Sequence, residues 1–178
     1  NVLKLVASDD GRNFKQITNL CGPHYPNERT LRFLDKGECS ALVRRERGDK
    51  AAGIGLSSAP YTQWKWHSAG LHVGGPNFIG LPSGKMIASG RTYDEHKKPK
   101  TFVGRMNLEE VQSDLILPSG GDCSYPGMVW HKGLLWVSYY SSHEGGTDIY
   151  LAKIRWKGGA PILPLVPNRP RPPTGRGG

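Results

Sequence analysis

The sequence has little cysteine, no long hydrophobic run and no helical pattern. Its three cysteines, Cys21, Cys39 and Cys123, include no Cys-x-x-Cys pair. They therefore indicate neither a zinc site nor a disulfide framework, and small buried thiols are the favoured interpretation. No apolar run approaches the roughly 18 residues of a membrane-spanning helix. No segment shows the periodicity of a long amphipathic helix, which leaves a strand-based fold as the expectation.

Several catalytic signatures are also missing. The chain contains no GxxxxGK[ST] phosphate loop, no GxSxG nucleophile elbow and no HExxH metal motif. Its six histidines show no metal-ligand spacing. The glycine pairs at 74–75 and 120–121 fit loops between repeats rather than dinucleotide-binding loops. The sequence predicts no metal and no cofactor.

Three stretches of the chain repeat one pattern. Each has an apolar run, a short turn that ends in glycine, and a second apolar run. The turn glycines are Gly37, Gly84 and Gly133, which lie 47 and then 49 residues apart. The copies read RTLRFLDKGECSALVRR at 29–45, PNFIGLPSGKMIASGR at 76–91 and YPGMVWHKGLLWVSYY at 125–140. A strand-hairpin repeat of this length is typical of a β-propeller, in which each repeat is one four-stranded blade.

The length of the chain and the repeat period together predict an incomplete ring. At about 48 residues per blade, the 178 residues hold about three to three and a half blades, whereas closed propellers have at least about four. We expect blade strands throughout residues 1–156, in blades at about 28–70, 75–117 and 125–156. Strands at 2–7 and 14–18 would end a blade whose beginning is absent, and no fourth strand is evident after 156. The chain is expected either to form part of a larger ring or to self-associate to complete one.

The last 22 residues, 157–178, differ in composition from the rest. They contain six prolines, five glycines and four basic residues, with no acidic residue. Because proline removes backbone donors, this stretch is not expected inside a sheet. It is predicted to be an extended or disordered tail, with a linker favoured over a partner-binding proline motif. The net charge of +9 is attributed mainly to solvated lysines, and nucleic-acid binding through the tail is the least favoured alternative.

Residues 8–14 resemble a known structural turn. Ser8, Asp10, Gly11 and Phe14 match Ser-x-Asp-Gly-x-x-aromatic, the short form of the Asp-box (BNR repeat) of sialidases and related propellers. In such a turn the aspartate accepts from backbone amides, and the aromatic ring packs under the next blade. Together with the hairpins, residues 27–156 resemble the later blades of the sialidase superfamily. This resemblance implies the C-terminal half of a six-bladed, exo-α-sialidase-like propeller.

The resemblance also implies a set of site residues. Tyr125 matches the nucleophilic tyrosine and Glu28 its base, since a phenol near pKa 10 needs a carboxylate to take its proton. Arg44 and Lys100 match positions that grip the substrate carboxylate, and lysine lacks the fork of arginine. Arg45 is expected to point to the opposite face of its strand, so an error of one residue would exchange it with Arg44. The alternatives are structural: a turn cap, a packed aromatic, an ion pair and a solvated lysine.

The function implied is a glycoside hydrolase whose parent protein acts on terminal acidic sugars of glycans. The arginine and the aspartate that the family carries in its early blades are not present, so the chain alone is expected to be inactive. The alternative is a non-catalytic propeller module that binds glycans or proteins. Carbohydrate is the expected partner, without nucleic acid or membrane. The resemblance favours an extracellular or periplasmic location.

Overall fold

The computed structural model describes residues 2–20, 24–157 and 160–165, and within these ranges it consists of strands and connecting turns. Among the described residues no helix is long and apolar enough to cross a membrane. The strands are β1 Leu3–Ala7, β2 Lys15–Leu20, β3 Pro26–Phe33, β4 Cys39–Arg45, β5 Gly53–Ser57, β6 Lys65–Ser68, β7 Gly74–Gly80, β8 Met86–Tyr93, β9 Pro99–Met106, β10 Leu115–Ile116, β11 Cys123–His131, β12 Leu134–Ser141, β13 Asp148–Lys157 and β14 Ala160–Leu165.

The strands form four antiparallel sheets in chain order. The first sheet has only β1 and β2, and the other three are four-stranded meanders, β3–β6, β7–β10 and β11–β14. The first strands of these three sheets lie side by side, because β7 contacts both β3 and β11. This confirms the prediction of an all-β, partial β-propeller.

The first hairpin of each four-stranded sheet turns at the repeated glycine. Gly37, Gly84 and Gly133 have φ of 80°, 77° and 75°, which is the left-handed region that glycine enters without steric cost. Glycine at this position therefore allows the same tight turn in all three repeats.

The sheets pack face to face on three apolar layers. Leu3 and Leu20 of the first sheet pack on Ala41 and Val43 of the second. The next layer joins Leu42 and Ile54 to Phe78 and Phe102, and the last joins Ile87 and Val103 to Leu135, Val137 and Ile154.

Because both faces of the second sheet are covered, six of the seven residues of β4 are buried. In β12 buried residues alternate with partly exposed ones, since only one face of the fourth sheet is covered within the described residues.

Two expectations about local structure are wrong. No strand was expected after residue 156, yet β14 (Ala160–Leu165) pairs with β13. This strand lies at the edge of its sheet and pairs with a neighbour on one side only. Proline, which lacks a backbone N–H, is tolerated at such an edge. The side chain of Phe14, expected to pack under the next blade, is 62% exposed. Residues 158–159 and 166–178 of the predicted tail lie outside the described residues.

The turn at residues 8–13 has the local hydrogen bonds expected of it. Asp10 Oδ1 accepts from the amides of Arg12 and Asn13 at 2.8 and 2.7 Å and from the Ser8 hydroxyl at 2.9 Å. The amides of Asn13 and Arg12 hold the pKa of Asp10 well below its usual range.

Cys39 and Cys123 are buried free thiols as expected, and Cys21 lies outside the described residues.

We predict that replacing Phe102 with alanine lowers the free energy of unfolding by about 3–5 kcal/mol, because the fully buried ring leaves a cavity between two sheets. Urea denaturation followed by tryptophan fluorescence measures this change. Phe14→Ala is the matched control, and we expect it to change stability by less than about 1 kcal/mol since its ring is exposed. Equal losses in both variants would contradict the sheet packing described above.

Candidate functional site

The first strands of the three four-stranded sheets are β3, β7 and β11, and we call them the inner strands. They share an irregularity near their first residues. The register with the second strand shifts between Pro26 and Arg29 in β3, between Gly74 and Asn77 in β7, and between Ser124 and Gly127 in β11. A bulge of this kind re-aims the side chains of the extra residues. Because these strands are neighbours, the bulges bring 27–28, 75–76 and 125–126 together at one end of the sheets. We call this end the hub rim.

Tyr125 occupies an unusual backbone conformation at the rim. Its φ is 48°, close to the φ of 55° at Gly75 in the preceding bulge. Glycine tolerates this region, whereas a residue with a Cβ is strained there. The tyrosine is nevertheless 60% exposed, so burial of its ring does not account for the strain. Six other described residues with a side chain also have a positive φ, so this conformation supports a functional role only together with the contacts of the Tyr125 hydroxyl.

Glu28 is the acceptor at the centre of the rim. Its Oε1 accepts from the Tyr125 hydroxyl at 2.5 Å and from Arg44 Nη1 at 2.9 Å. Its Oε2 accepts from the Gly75 amide at 2.7 Å. The carboxylate thus ties together the three inner-strand bulges and β4. The structure brings three of the four predicted site residues into contact.

These contacts set the protonation of the pair. Burial raises the pKa of Glu28, but hydrogen bonds from Tyr125, Gly75 and Arg44 outweigh this effect, and the pKa lies below its usual value. The hydrogen bond to Glu28 raises the pKa of Tyr125, because ionising the phenol would place two negative charges side by side. At neutral pH the site therefore holds a charged carboxylate and a protonated phenol.

Arg44, and not Arg45, faces the rim. The Nη2 atom of Arg44 forms an ion pair with Glu46, so both ends of its guanidinium are held by carboxylates. Arg45 is buried and donates to the Ala51 carbonyl and, at 3.1 Å, to Asp49. The alternative in which the two arginines exchange positions is therefore excluded.

A second polar cluster adjoins the first through stacked rings. Arg91 donates to the Cys123 carbonyl and Asp122 Oδ1, both at 2.7 Å, and to the Tyr140 hydroxyl at 2.9 Å. The Tyr140 hydroxyl donates to Asp122 Oδ1 at 2.8 Å. The rings of Tyr125 and Tyr140 stack with centroids 6.1 Å apart and planes at 21°. The rim therefore carries two linked sets, each with a phenol, a carboxylate and a guanidinium.

Sequence reasoning missed Arg91 and Tyr140, although a signal for them existed. Arg44, Arg91 and Tyr140 lie 47 and 49 residues apart, the same spacing as the three turn glycines. Applying the repeat period to Arg44 would have identified both.

Lys100, the fourth predicted site residue, is not part of the rim cluster. It lies on β9, where its Nζ donates to the Ser119 carbonyl at 3.3 Å and lies 4.0 Å from Asp94. Within the described part of the chain no contact joins it to Tyr125, Glu28 or Arg44. The third strand of a blade lies farther from the hub than the second, and β8 supplies Arg91 to the rim instead.

A cavity opens beside Tyr125 and Glu28. It has a volume of about 340 Å³ and lies over the three bulges. Its lining residues are Glu28, Arg29, Thr30, Gly75, Pro76, Asn77, Tyr125, Pro126 and Gly127. An aromatic face beside a charged acceptor and amide groups suits a polar ligand with an apolar side.

Comparison with known proteins gives structural likeness only. No protein-family model matches the sequence, and no curated protein matches it. A solved Dyadobacter fermentans protein of unknown function is 22% identical over 82% of this chain and 43% of its own, with a TM-score of 0.70. An α-L-arabinofuranosidase from Fusarium graminearum is 11% identical over 85% and 49%, with a TM-score of 0.63. An endo-1,4-β-xylanase from Bacteroides thetaiotaomicron is 12% identical over 93% and 64%, with a TM-score of 0.64.

These comparisons correct the sialidase resemblance. Both enzymes named above are glycoside hydrolases of other kinds, and no family model supports a sialidase. The expectation of half of a six-bladed sialidase ring is therefore wrong. The short turn motif misled because its match involves four residues whose hydrogen bonds are local. The chain spans about half the length of the first two neighbours and 64% of the third.

We predict that Glu28→Gln lowers the pKa of Tyr125 towards its ordinary value. The uncharged amide no longer opposes the phenolate, so the phenol ionises at lower pH than in the unmodified protein. Alkaline titration of phenolate absorbance measures this shift, and subtraction of the Tyr125→Phe curve isolates one of the seven tyrosines.

Glu95→Gln serves as the control, since the Glu95 side chain is 85% exposed and has no contact with Tyr125 within the described residues. An unchanged Tyr125 titration in Glu28→Gln would show that the two side chains do not share a hydrogen bond in solution.

Proposed function

We propose that the hub rim binds carbohydrate and that the chain belongs to a glycoside hydrolase-like propeller. Two structural neighbours with enzyme names act on glycans, which supports this class. Since the chain spans only part of their length, the activity and substrates of the whole protein are part of the proposal. The acidic-sugar preference expected from the sequence depended on the sialidase resemblance and is not carried into it.

The observation that supports the proposal most strongly is the short hydrogen bond from Tyr125 to Glu28 on an exposed, strained tyrosine. In a hydrolytic reaction Tyr125 Oη would bond to the anomeric carbon as the glycosidic bond breaks, and Glu28 would take the phenolic proton. The leaving oxygen also needs a proton from an acid, to which we assign no residue. Water would then bond to the anomeric carbon as the bond from that carbon to Tyr125 Oη breaks, and a proton of the water would return to Tyr125 Oη. Arg44 would hold Glu28 in place, because its Nη1 donates to Glu28 Oε1.

One observation favours the alternative, a glycan-binding module without turnover. Glu28 already accepts three hydrogen bonds, one of them from a guanidinium. These donors lower the pKa of Glu28 and so weaken it as a base. The same arrangement suits hydrogen bonding to sugar hydroxyls. Self-association of the chain stays a prediction.

We predict that the 178-residue chain binds short arabinan or xylan oligosaccharides and that Tyr125→Phe weakens this binding about tenfold, since it removes one hydroxyl contact. Isothermal titration calorimetry measures the affinity. Tyr61→Phe is the control, because the Tyr61 hydroxyl donates to the Gly37 carbonyl at the hairpin turn and not at the rim. Absence of binding to every oligosaccharide tested would refute the proposal.

Release of reducing sugar distinguishes the two alternatives. Turnover that is lost in both Tyr125→Phe and Glu28→Gln would support a hydrolase. Binding without release, together with loss of affinity in the same variants, would support a binding module.

A further inference from the structure

Two polar atoms behind the rim are sealed from solvent and have no hydrogen-bond partner within the described residues. They are Arg44 Nε and His72 Nε2. Leaving a buried donor or acceptor unpaired costs about 1–3 kcal/mol, so each such atom calls for an explanation. The two atoms belong to different segments of the chain, β4 and the loop before β7.

The two atoms are chemically complementary. The Nδ1 atom of His72 lies 3.1 Å from the Lys50 carbonyl, which can only accept, so Nδ1 carries the proton. The neutral ring then has an acceptor lone pair at Nε2. The Nε–H of Arg44 can only donate, and both terminal nitrogens of this guanidinium are already held by Glu28 and Glu46.

Gly74 brings the two atoms together. A Cβ on Gly74 would lie 3.5 Å from His72 Nε2 and 3.9 Å from Arg44 Nε. Both atoms therefore border the same small space, which a side chain at position 74 would occupy. The His72 ring is also fixed from its other side by the Tyr93 ring, with centroids 5.2 Å apart.

We propose that His72 Nε2 accepts a hydrogen bond from Arg44 Nε–H across Gly74, and that His72 is thereby a positioning residue for Glu28 and Tyr125. The two side chains must move towards each other to form the bond, because neither atom has a hydrogen-bond partner within the described residues. It fixes the third edge of the Arg44 guanidinium, whose first two edges carry the carboxylates. Through Arg44 the orientation of Glu28, and so its bond to Tyr125, depends on an imidazole that does not touch either residue.

This inference goes beyond the proposed function, because it concerns the geometry of the rim and holds whether or not the rim binds sugar. A failed oligosaccharide assay leaves it standing, and its own failure leaves the carbohydrate proposal standing. The two are tested by separate measurements.

Protonation of His72 should break the hydrogen bond from Arg44 Nε–H to His72 Nε2. Burial lowers the pKa of His72, and the neighbouring Arg44 lowers it further, whereas the Lys50 carbonyl and Glu46 act in the opposite direction. The other charged or titratable groups packed nearby are Lys50, Arg91 and Tyr93. Above the pKa of His72 the ring is neutral and accepts from Arg44. Below it both nitrogens are donors and the ring repels the guanidinium.

The direct test observes Arg44 Nε–H by ¹H–¹⁵N NMR at neutral pH. We expect a slowly exchanging, downfield-shifted proton in the unmodified protein. His72→Leu, which keeps bulk but has no acceptor, should speed its exchange by about tenfold or more. His72→Gln, which can place an amide oxygen near the Nε2 position, should restore part of the protection. Equal exchange in the unmodified protein and His72→Leu would overturn the proposal.

A second readout follows the rim itself. The alkaline titration of Tyr125 should shift in His72→Leu and return towards the original curve in His72→Gln. A purely structural role would alter stability without this rescue. If His72→Leu does not fold, an acid titration of the unmodified protein decides. The Arg44 Nε–H proton must lose protection together with the titration of His72, and independence of the two would refute the contact.

Discussion

The hydrogen bond between Tyr125 and Glu28 joins residues that are 97 positions apart in the chain. It forms because β3, which carries Glu28, and β11, which carries Tyr125, lie on either side of β7, whose Gly75 stands between them. The Gly75 amide donates to the same carboxylate at 2.7 Å, so the backbone of the middle strand helps to orient Glu28. A side chain at position 75 would collide with Ser124 Oγ and the Tyr125 amide. The close approach of these strands therefore requires glycine at this position.

The packing of the sheets supports this arrangement from behind. Phe78 and Phe102 are completely buried between the second and third sheets, and Leu135 and Val137 between the third and fourth. These rigid layers fix the spacing of the inner strands, which a flexible loop could not do. The strain of Tyr125, with φ of 48°, is sustained by the pairing on both sides of its bulge. The site is thus an exposed, strained tyrosine beside a partly buried ion pair on a well-packed scaffold.

Opposite charges within the cluster are paired locally. Arg44 lies between Glu28 and Glu46, and Arg91 contacts Asp122, although the chain as a whole carries +9. Each guanidinium therefore organises a carboxylate and a tyrosine hydroxyl at the rim. The net charge of the protein would not have revealed this, because it sums over distant surface residues.

Much of the fold and part of the site could be predicted from local patterns. The glycine period and the apolar runs on either side of each turn predicted the hairpins, and so the blades, since both are patterns of a few residues. Glu28, Arg44 and Tyr125 came from a family resemblance that the comparisons contradict, yet the structure brings them together. Lys100 lies on the third strand, where it contacts Ser119 and Asp94 and not the rim cluster. The strand β14 was not expected, because proline at a sheet edge looks the same in sequence as proline in a linker. The repeat period also marks Arg91 and Tyr140, because it places them at the positions equivalent to Arg44.

The sequence by itself determined an all-β chain of repeated hairpins, because turn residues and strand periodicity are local properties. Only the tertiary structure decided which side chains meet. Contacts between Glu28, Gly75 and Tyr125, or between Arg91, Asp122 and Tyr140, depend on how the blades pack and where the bulges re-aim the chain. The packing of the blades and the positions of the bulges depend on interactions between residues far apart in sequence, which no short pattern encodes.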